Sequence, residues 1–355
     1  MDDTDAVFMK RALELARQGA GLVSPNPMVG AVLTKDGRVI GEGFHRYDRL
    51  KHAEAYALEM AGDLARGATL YCNLEPCRHH GRTPPCTDSV IEAGIARAVI
   101  AAIDPDQRVS GRGIEQMRSA GIAVEVGLRE EEALRLNEAY LKYVTSGTPF
   151  IHAIINIESM ESDSWSLYKP SDSFLHVASE YDCVAIGASA ELNQSVIEAC
   201  LGRERHRKFA IAGTDDDLKN SKRAYAGNGV AVIMLSPAAN EIRYADDEES
   251  FQIISPDQAA AGWPDLASIF GPIAERTGIR SILALAGSFQ VSAASIVSQA
   301  DKITLIARKT PPDDSGLLNS LHSEFGLDLN DVETCDAMGF NEVTGYPRRG
   351  AAKVS

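Results

Sequence analysis

At 355 residues, 45% apolar and 24% charged, the chain has the balance of a soluble globular protein and the length for two domains of about 150–200 residues each. No apolar run approaches the roughly 20 residues that span a bilayer, and the acidic, amphipathic start lacks the basic end and apolar core of a secretory signal. A cytoplasmic protein without membrane contact is therefore expected. The net charge of −15, most of it carried beyond residue 150, excludes the basic balance of a nucleic-acid binder and favours a small-molecule partner.

Phe8, Ala12, Leu13, Leu15 and Ala16 fall mostly on one stripe of a helix over 5–18, which Thr4 or Asp5 can cap and Gly19 and Gly21 end. Two short strands follow, over 28–34 and 38–44, joined by the tight-turn signal Lys35-Asp36-Gly37. Helix and strand then alternate: a helix over 53–65, a strand over 68–73, a helix over 87–93, a strand over 96–103, a helix over 111–120, a strand over 122–126 and a helix over 130–144. This order predicts a mixed sheet with flanking helices, an antiparallel hairpin followed by parallel strands. Ligands of such sheets bind at the carboxyl ends of strands, where the motif residues fall.

Three of the six cysteines, Cys72, Cys77 and Cys86, lie close together, and clustered Cys with a nearby His in such a protein point to metal rather than disulfides. His52, Cys77 and Cys86 offer one nitrogen and two sulfurs, the three-ligand set of a catalytic zinc with one open position. Glu54, two residues after His52, completes a His-x-Glu, and Pro76-Cys77 the start of the Pro-Cys signature of zinc deaminases. The second Cys, however, follows after the eight residues Arg78 to Pro85 instead of two. Two thiolates and an imidazole on zinc bring the pKa of water towards neutrality, and Glu54 is placed to move its proton to a ring nitrogen and a leaving amine. A helix beginning just after Pro76 would also favour the thiolate of Cys77. A structural zinc pair, or His79 and His80 as alternative ligands, are the competing readings. Cys72 reads as a core thiol, and Cys183, Cys200 and Cys335 as packing residues.

The stretch Leu74-Glu75-Pro76-Cys77-Arg78-His79-His80-Gly81-Arg82-Thr83-Pro84-Pro85-Cys86 resembles the bifunctional riboflavin-biosynthesis deaminase–reductase family. So do Ser24 to Val32, Gly43-Phe44-His45, His52 to Leu58, Asp104-Pro105 and Gly111-Arg112-Gly113; Arg78 is one departure, where a small or polar residue is usual. The resemblance covers residues 5 to about 150. It implies a cytidine-deaminase-like first domain (1–147). It also implies hydrolytic deamination of 2,5-diamino-6-ribosylamino-4(3H)-pyrimidinone 5′-phosphate to the 5-aminouracil product and ammonia. By position, Asn26, His45, His79 and Arg82 should bind that substrate. Arg82 suits a ribose phosphate because guanidinium binds it bidentately. A surface charge for Arg82, a structural histidine for His45 and a turn residue for Asn26 are the plainer alternatives.

Beyond Gly147-Thr148-Pro149, a strand over 151–157 opens what the family carries as an NADPH-dependent reductase domain of dihydrofolate-reductase type, here 148–345 before a disordered tail over 346–355. Polar anchors of that domain are missing. Ile154 and Asn156 stand at its Lys and Ala positions, Glu158 to Glu161 replace Ser-Leu-Asp-Gly, and Ala188 to Val196 lack the Thr, Asp pair and Pro of its next loop. Ala286 and Ser288 replace a Glu and a Gly. Apolar strand patterns persist over 182–187, 283–286 and 295–304. The expectation is a retained α/β fold that no longer reduces anything. It would serve as a homo-oligomer interface or brace, with a separate reductase as partner; a fully bifunctional enzyme using NADPH is the alternative. A zinc-bearing scaffold without turnover would have no need of Glu54.

Overall fold

The computed structural model describes residues 3–47, 49, 51–78, 84–156, 177–187, 208–212, 231–235, 251–254, 270, 274, 278–286, 299–308, 322, 328–337 and 340–348. The chain divides into two compact units, Met1–Gly147 and Thr148–Ser355.

In the first unit, helix α1 (Asp3–Arg17) has acids in its first turn and Arg17 in its last, matching the helix dipole. Its buried stripe is Met9, Ala12, Leu13, Leu15 and Ala16. Strands β1 (Gly30–Lys35) and β2 (Arg38–Phe44) form the expected hairpin. Asp36 and Gly37, both at positive φ (51° and 71°), make the tight turn. Then come α2 (Ala53–Ala61), a short 3₁₀ turn (Gly62–Ala65), β3 (Thr69–Leu74), α3 (Cys86–Glu92), β4 (Arg97–Ala102), α4 (Arg112–Ser119), β5 (Ala123–Val126), α5 (Glu130–Leu136) and α6 (Glu138–Ser146). The five-stranded sheet has the order β2-β1-β3-β4-β5, antiparallel across β2, β1 and β3 and parallel across β3, β4 and β5.

Alternation along the strands divides the core into two layers. Leu33, Leu70, Cys72, Ala98 and Ile100 pack against Ala53 and Ala57 of α2, Val90 of α3, and Ile114 and Met117 of α4. Val32, Tyr71, Val99 and Ala101 pack against Met9, Ala12 and Leu13 of α1 and Ala133 of α5. Helix α2 lies almost on the backbone of β2: a Cβ on Gly41 would meet the Ala57 carbonyl oxygen at 2.1 Å, and one on Gly43 that of Ala53 at 2.3 Å. Two glycines facing a row of alanines thus hold the N-terminus of α2, with His52 at its cap, close to the carboxyl end of the sheet.

Three local departures from the sequence reading have physical causes. The first strand begins at Gly30 rather than 28, because side-chain amides, not a neighbouring strand, hold the Met28 backbone. The helix expected over 130–144 breaks at Asn137 (φ −105°, ψ 19°), whose buried side chain makes two of those bonds. No helix begins at Cys77: Cys77 and Arg78 lie in coil, and the next described helix, α3, starts at Cys86 directly after Pro84-Pro85.

The second unit carries a nine-stranded sheet of β6 (Phe150–Asn156), β7 (Cys183–Gly187), β8 (Lys208–Ala212), β9 (Ala231–Leu235), β10 (Phe251–Ile254), β11 (Ser281–Ala286), β12 (Lys302–Arg308), β13 (Leu329–Ala337) and β14 (Phe340–Pro347). The order is β10-β9-β8-β7-β11-β6-β12-β14-β13, parallel as far as β12 and closed by an antiparallel hairpin. Central strands buried on both faces read as near-continuous apolar runs, here Ile154, Ile155, Val184, Ile282, Leu283, Leu285, Ile303 and Leu305. The first residues of the tail expected to be disordered from 346 are ordered instead: Tyr346 and Pro347 pair with Asn330 and Leu329, and Arg348 N–H donates to the Asp328 carbonyl. Residues 349–355 lie outside the described residues, as do 158–161, 188–196 and Ser288. Among the described residues, no helix is long and apolar enough to cross a membrane.

Candidate metal centre

His52 caps α2, Cys77 follows β3 in coil, and Cys86 opens α3. The fold brings their ligand atoms within 4.8 Å of one another. His52 Nδ1 lies 3.1 Å from Cys86 Sγ and 3.4 Å from Cys77 Sγ. Tetrahedral zinc with ordinary Zn–N and Zn–S bonds sets such pairs about 3.5 Å apart, so donor types and spacing both fit that ion. Without metal, the Cys77 thiol is held well below its ordinary range, chiefly by the Cys86 thiol and then by His52, while Cys86 is pushed up. Two thiolates on one ion therefore require loss of the Cys86 proton on binding.

Glu54, in the first turn of α2, is 3% exposed, and its Oε2 is buried without a hydrogen-bond partner among the described residues. Burial first, then the neighbouring Cys77, raises its pKa. A buried, unpaired carboxyl oxygen costs about 1–3 kcal/mol, a cost removed once a water or a substrate N–H occupies the site. This orphan atom is the second observation that fits a metal centre with an open position.

Beside the cluster, the His45 ring meets that of His52 edge-on at 5.1 Å. Burial, then the nearby His52, keeps His45 below its ordinary pKa. Asn26 Nδ2 donates to His45 Nε2 at 3.0 Å, and His45 Nδ1 donates to the Lys51 carbonyl at 3.4 Å. The neutral Nδ1–H tautomer satisfies both bonds. Of the residues expected from sequence, His52, Glu54, Cys77, Cys86, Asn26 and His45 are thus brought together; His79 and Arg82 lie outside the described residues. Cys72 and Cys183 are buried thiols in the two sheets, neither in a disulfide.

Three supporting residues escaped the sequence reading. Asn137 binds both sides of Met28: its Oδ1 accepts from the Met28 N–H at 2.7 Å and its Nδ2 donates to the carbonyl at 3.0 Å. Asn73 donates to the same carbonyl at 3.0 Å and accepts from Gly30 N–H at 2.8 Å. Together they hold the chain just after Asn26 off the sheet. Glu75 receives backbone N–H groups from the loop after β4 and from the first turn of α4. Glu75 and Asn73 sit within or beside the Leu74-Glu75-Pro76-Cys77 motif, which was a signal; Asn137 carried none.

The family model for the cytidine and deoxycytidylate deaminase zinc-binding region matches residues 2–102. The riboflavin biosynthesis protein RibD of Aquifex aeolicus is 51% identical over 149 residues, 42% of this chain and 42% of its own length. The chloroplastic riboflavin biosynthesis protein PYRD of Zea mays is 50% identical over 149 residues, 42% and 38% of the two chains. RibD of Escherichia coli is 50% identical over 147 residues, 41% and 40%. The matched part thus spans about two fifths of each of these relatives. Similarity of structure reaches further. The diaminohydroxyphosphoribosylaminopyrimidine deaminase/5-amino-6-(5-phosphoribosylamino)uracil reductase of Thermotoga maritima superposes with a TM-score of 0.76 at 32% identity, covering 97% of this chain and 99% of that one. RibD of Acinetobacter baumannii, at 23% identity, shares the fold with a TM-score of 0.71 over 98% and 99%. With the zinc-binding region matched at one end and both units covered by a solved deaminase/reductase, the chain belongs to the bifunctional deaminase–reductase family of riboflavin biosynthesis.

Proposed function

We propose that the first unit catalyses zinc-dependent hydrolytic deamination of 2,5-diamino-6-ribosylamino-4(3H)-pyrimidinone 5′-phosphate. Water replaces the C2 amino group, giving 5-amino-6-ribosylaminouracil 5′-phosphate and ammonia. The observation that carries this is the unpaired Oε2 of Glu54 beside a His52, Cys77 and Cys86 cluster spaced for one ion. Zinc held by three protein ligands supplies an activated water at neutral pH. Glu54 takes one proton of the water at Oε2 and hands it to the ring nitrogen, then takes the second from the added hydroxyl and hands it to the amine, which departs as ammonia. Asn26, its amide nitrogen committed to His45, offers Oδ1 to a ring or amine N–H. His79 and Arg82 are assigned to the substrate by their place in the family motif, Arg82 to the phosphate. Glu54→Gln should retain zinc and lower ammonia release about 10²–10⁴-fold; a variant that releases ammonia at the wild-type rate would disprove the mechanism.

We further propose that the second unit keeps the reductase fold without the reductase chemistry. In parallel sheets ligands sit at the carboxyl ends of strands. At that end of the neighbouring strands β6 and β11 the chain places Ile154, Ile155 and Ala286, with Leu285 opposite Ile154 and Ala286 opposite Ile155. Among the described residues at that end of the two strands, the one polar residue is Asn156, a neutral amide, and no cationic residue that could hold an anionic cofactor stands there. Similarity in sequence to the curated relatives covers about two fifths of the chain, whereas similarity in fold covers nearly all of it, as expected when strand cores are kept and site residues are not.

A further inference from the structure

We propose that Glu75 is a positioning residue of the metal centre: its carboxylate ties the Pro76–Cys77 turn to the start of α4 and so fixes the Cys77 sulfur among the ligands. The inference rests on the zinc reading above.

Glu75 is 4% exposed and is the last residue whose backbone follows the ladder, its N–H donating to the Ala102 carbonyl at 3.0 Å. Pro76, without an N–H, then turns the chain out of the sheet towards Cys77. The side chain points the other way in purpose: Oε1 accepts from Gly113 N–H at 2.8 Å and Ile114 N–H at 3.3 Å, and Oε2 from Gly111 N–H at 2.8 Å and Asp104 N–H at 3.4 Å. These include N–H groups that α4 leaves unpaired at its first turn. Its own cap residue, Gly111, has no side chain to pair them and sits at φ 77°. A residue 36 positions earlier in the chain therefore caps α4, and the helix dipole favours the negative charge brought there.

The tie is tight on both sides. A Cβ on Gly113 would meet the Pro76 carbonyl oxygen at 2.5 Å and Glu75 Oε1 at 3.1 Å, so the turn before Cys77 packs directly on α4. From the other side, Thr87 N–H donates to the Cys77 carbonyl at 3.1 Å and Cys86 N–H points to Cys77 Sγ at 3.4 Å. Cys77 belongs to no helix or strand. Its place is set by these two anchors, and Glu75 is the one that carries charge.

The test is zinc affinity, measured by competition with a chromophoric chelator on the full chain, alongside thermal midpoints of the zinc-free proteins. Glu75→Gln keeps the shape but sets an amide NH₂ against N–H donors; it should weaken zinc about 10–100-fold, the usual effect of losing an outer anchor. Gly113→Ala, which leaves the carboxylate in place and wedges the turn away from α4, should weaken zinc in the same direction and serves if Glu75→Gln does not fold. Ile122→Val removes one methylene from the core that α4 packs into, at a residue that makes no bond to Glu75. It should lower the midpoint yet leave zinc affinity within about twofold. Unchanged affinity in both Glu75→Gln and Gly113→Ala overturns the inference, as does an equal loss in Ile122→Val, which would make the effect one of general stability. Wild-type protein that takes up no zinc would overturn both this inference and the metal reading beneath it.

Discussion

Asn137 and Glu54 show how single side chains divide the work of this site. Glu54 has an oxygen with nothing to bind among the described residues, the mark of a group waiting for a reactant. Asn137 has both ends of its amide committed to one peptide, Met28, a mimic of strand pairing made by a side chain. Asn137→Ala should leave the half-buried Met28 N–H without its acceptor and cost about 1 kcal/mol in denaturant unfolding. It should also raise KM more than it lowers kcat, because the segment it holds carries Asn26. An Asn137→Ala protein with wild-type KM would show that the Asn26 segment holds its place without that anchor. His52 and Cys77 were legible from spacing, since metal chemistry restricts which residue types serve. Asn137 was not, because the pattern around it reads as one helix over 130–144, and nothing in that pattern tells what an asparagine bonds to across 109 residues.

Elements place these residues. The Gly41 and Gly43 contacts let α2 press on β2, and any added methyl pushes it away. Gly43→Ala should cost about 1–3 kcal/mol by overpacking and, by shifting the helix that His52 caps, weaken zinc binding; equilibrium unfolding and chelator competition measure the two effects. In the second unit a buried polar chain crosses the sheet. Tyr181 hydroxyl meets His152 Nδ1 at 2.7 Å, His152 Nε2 meets Thr304 Oγ1 at 2.8 Å, and Thr304 meets Thr344 at 2.7 Å. Burial pushes the His152 pKa down from 6.5 to about 3. A base whose folded pKa lies below its unfolded one contributes stability that is complete above pH 6.5 and is lost as pH falls towards 3. The slope is about 1.4 kcal/mol per pH unit inside that window. Both tryptophans, Trp165 and Trp263, lie in the sequence of this unit, so the first unit adds no tryptophan signal to an unfolding curve read by fluorescence. Between pH 6.5 and 5, above the ordinary carboxylate range, urea midpoints of the wild type should fall, and His152→Gln should flatten the decline. Equal slopes in the two proteins would show that His152 is not the group responsible.

For the whole molecule, the two halves differ in what they kept. The first retains sequence and fold together, and the second chiefly fold. Zinc removal by a chelator should abolish ammonia release, and zinc added back should restore it. NADPH should neither bind saturably nor be consumed in the presence of the deaminated product; steady consumption at an enzymatic rate would restore the bifunctional reading.

The sequence by itself determined what is local or chemically restricted. Residue periodicity marked the helices and strands, and Asp36-Gly37 marked the hairpin turn because few residues accept positive φ in succession. His52, Glu54, Cys77 and Cys86 marked the chemistry because few side chains bind zinc and carry its protons. The tertiary structure decided what depends on neighbours distant in the chain. It placed Cys77 in coil instead of at a helix start, gave Glu75 the task of capping α4, and used Asn137 to hold Met28. Hydrogen bonds of this kind have no sequence period, because any polar residue can supply them once the fold has brought the partners together. The zinc ligands could be named from their spacing; the residues that hold those ligands in place appeared only with the fold.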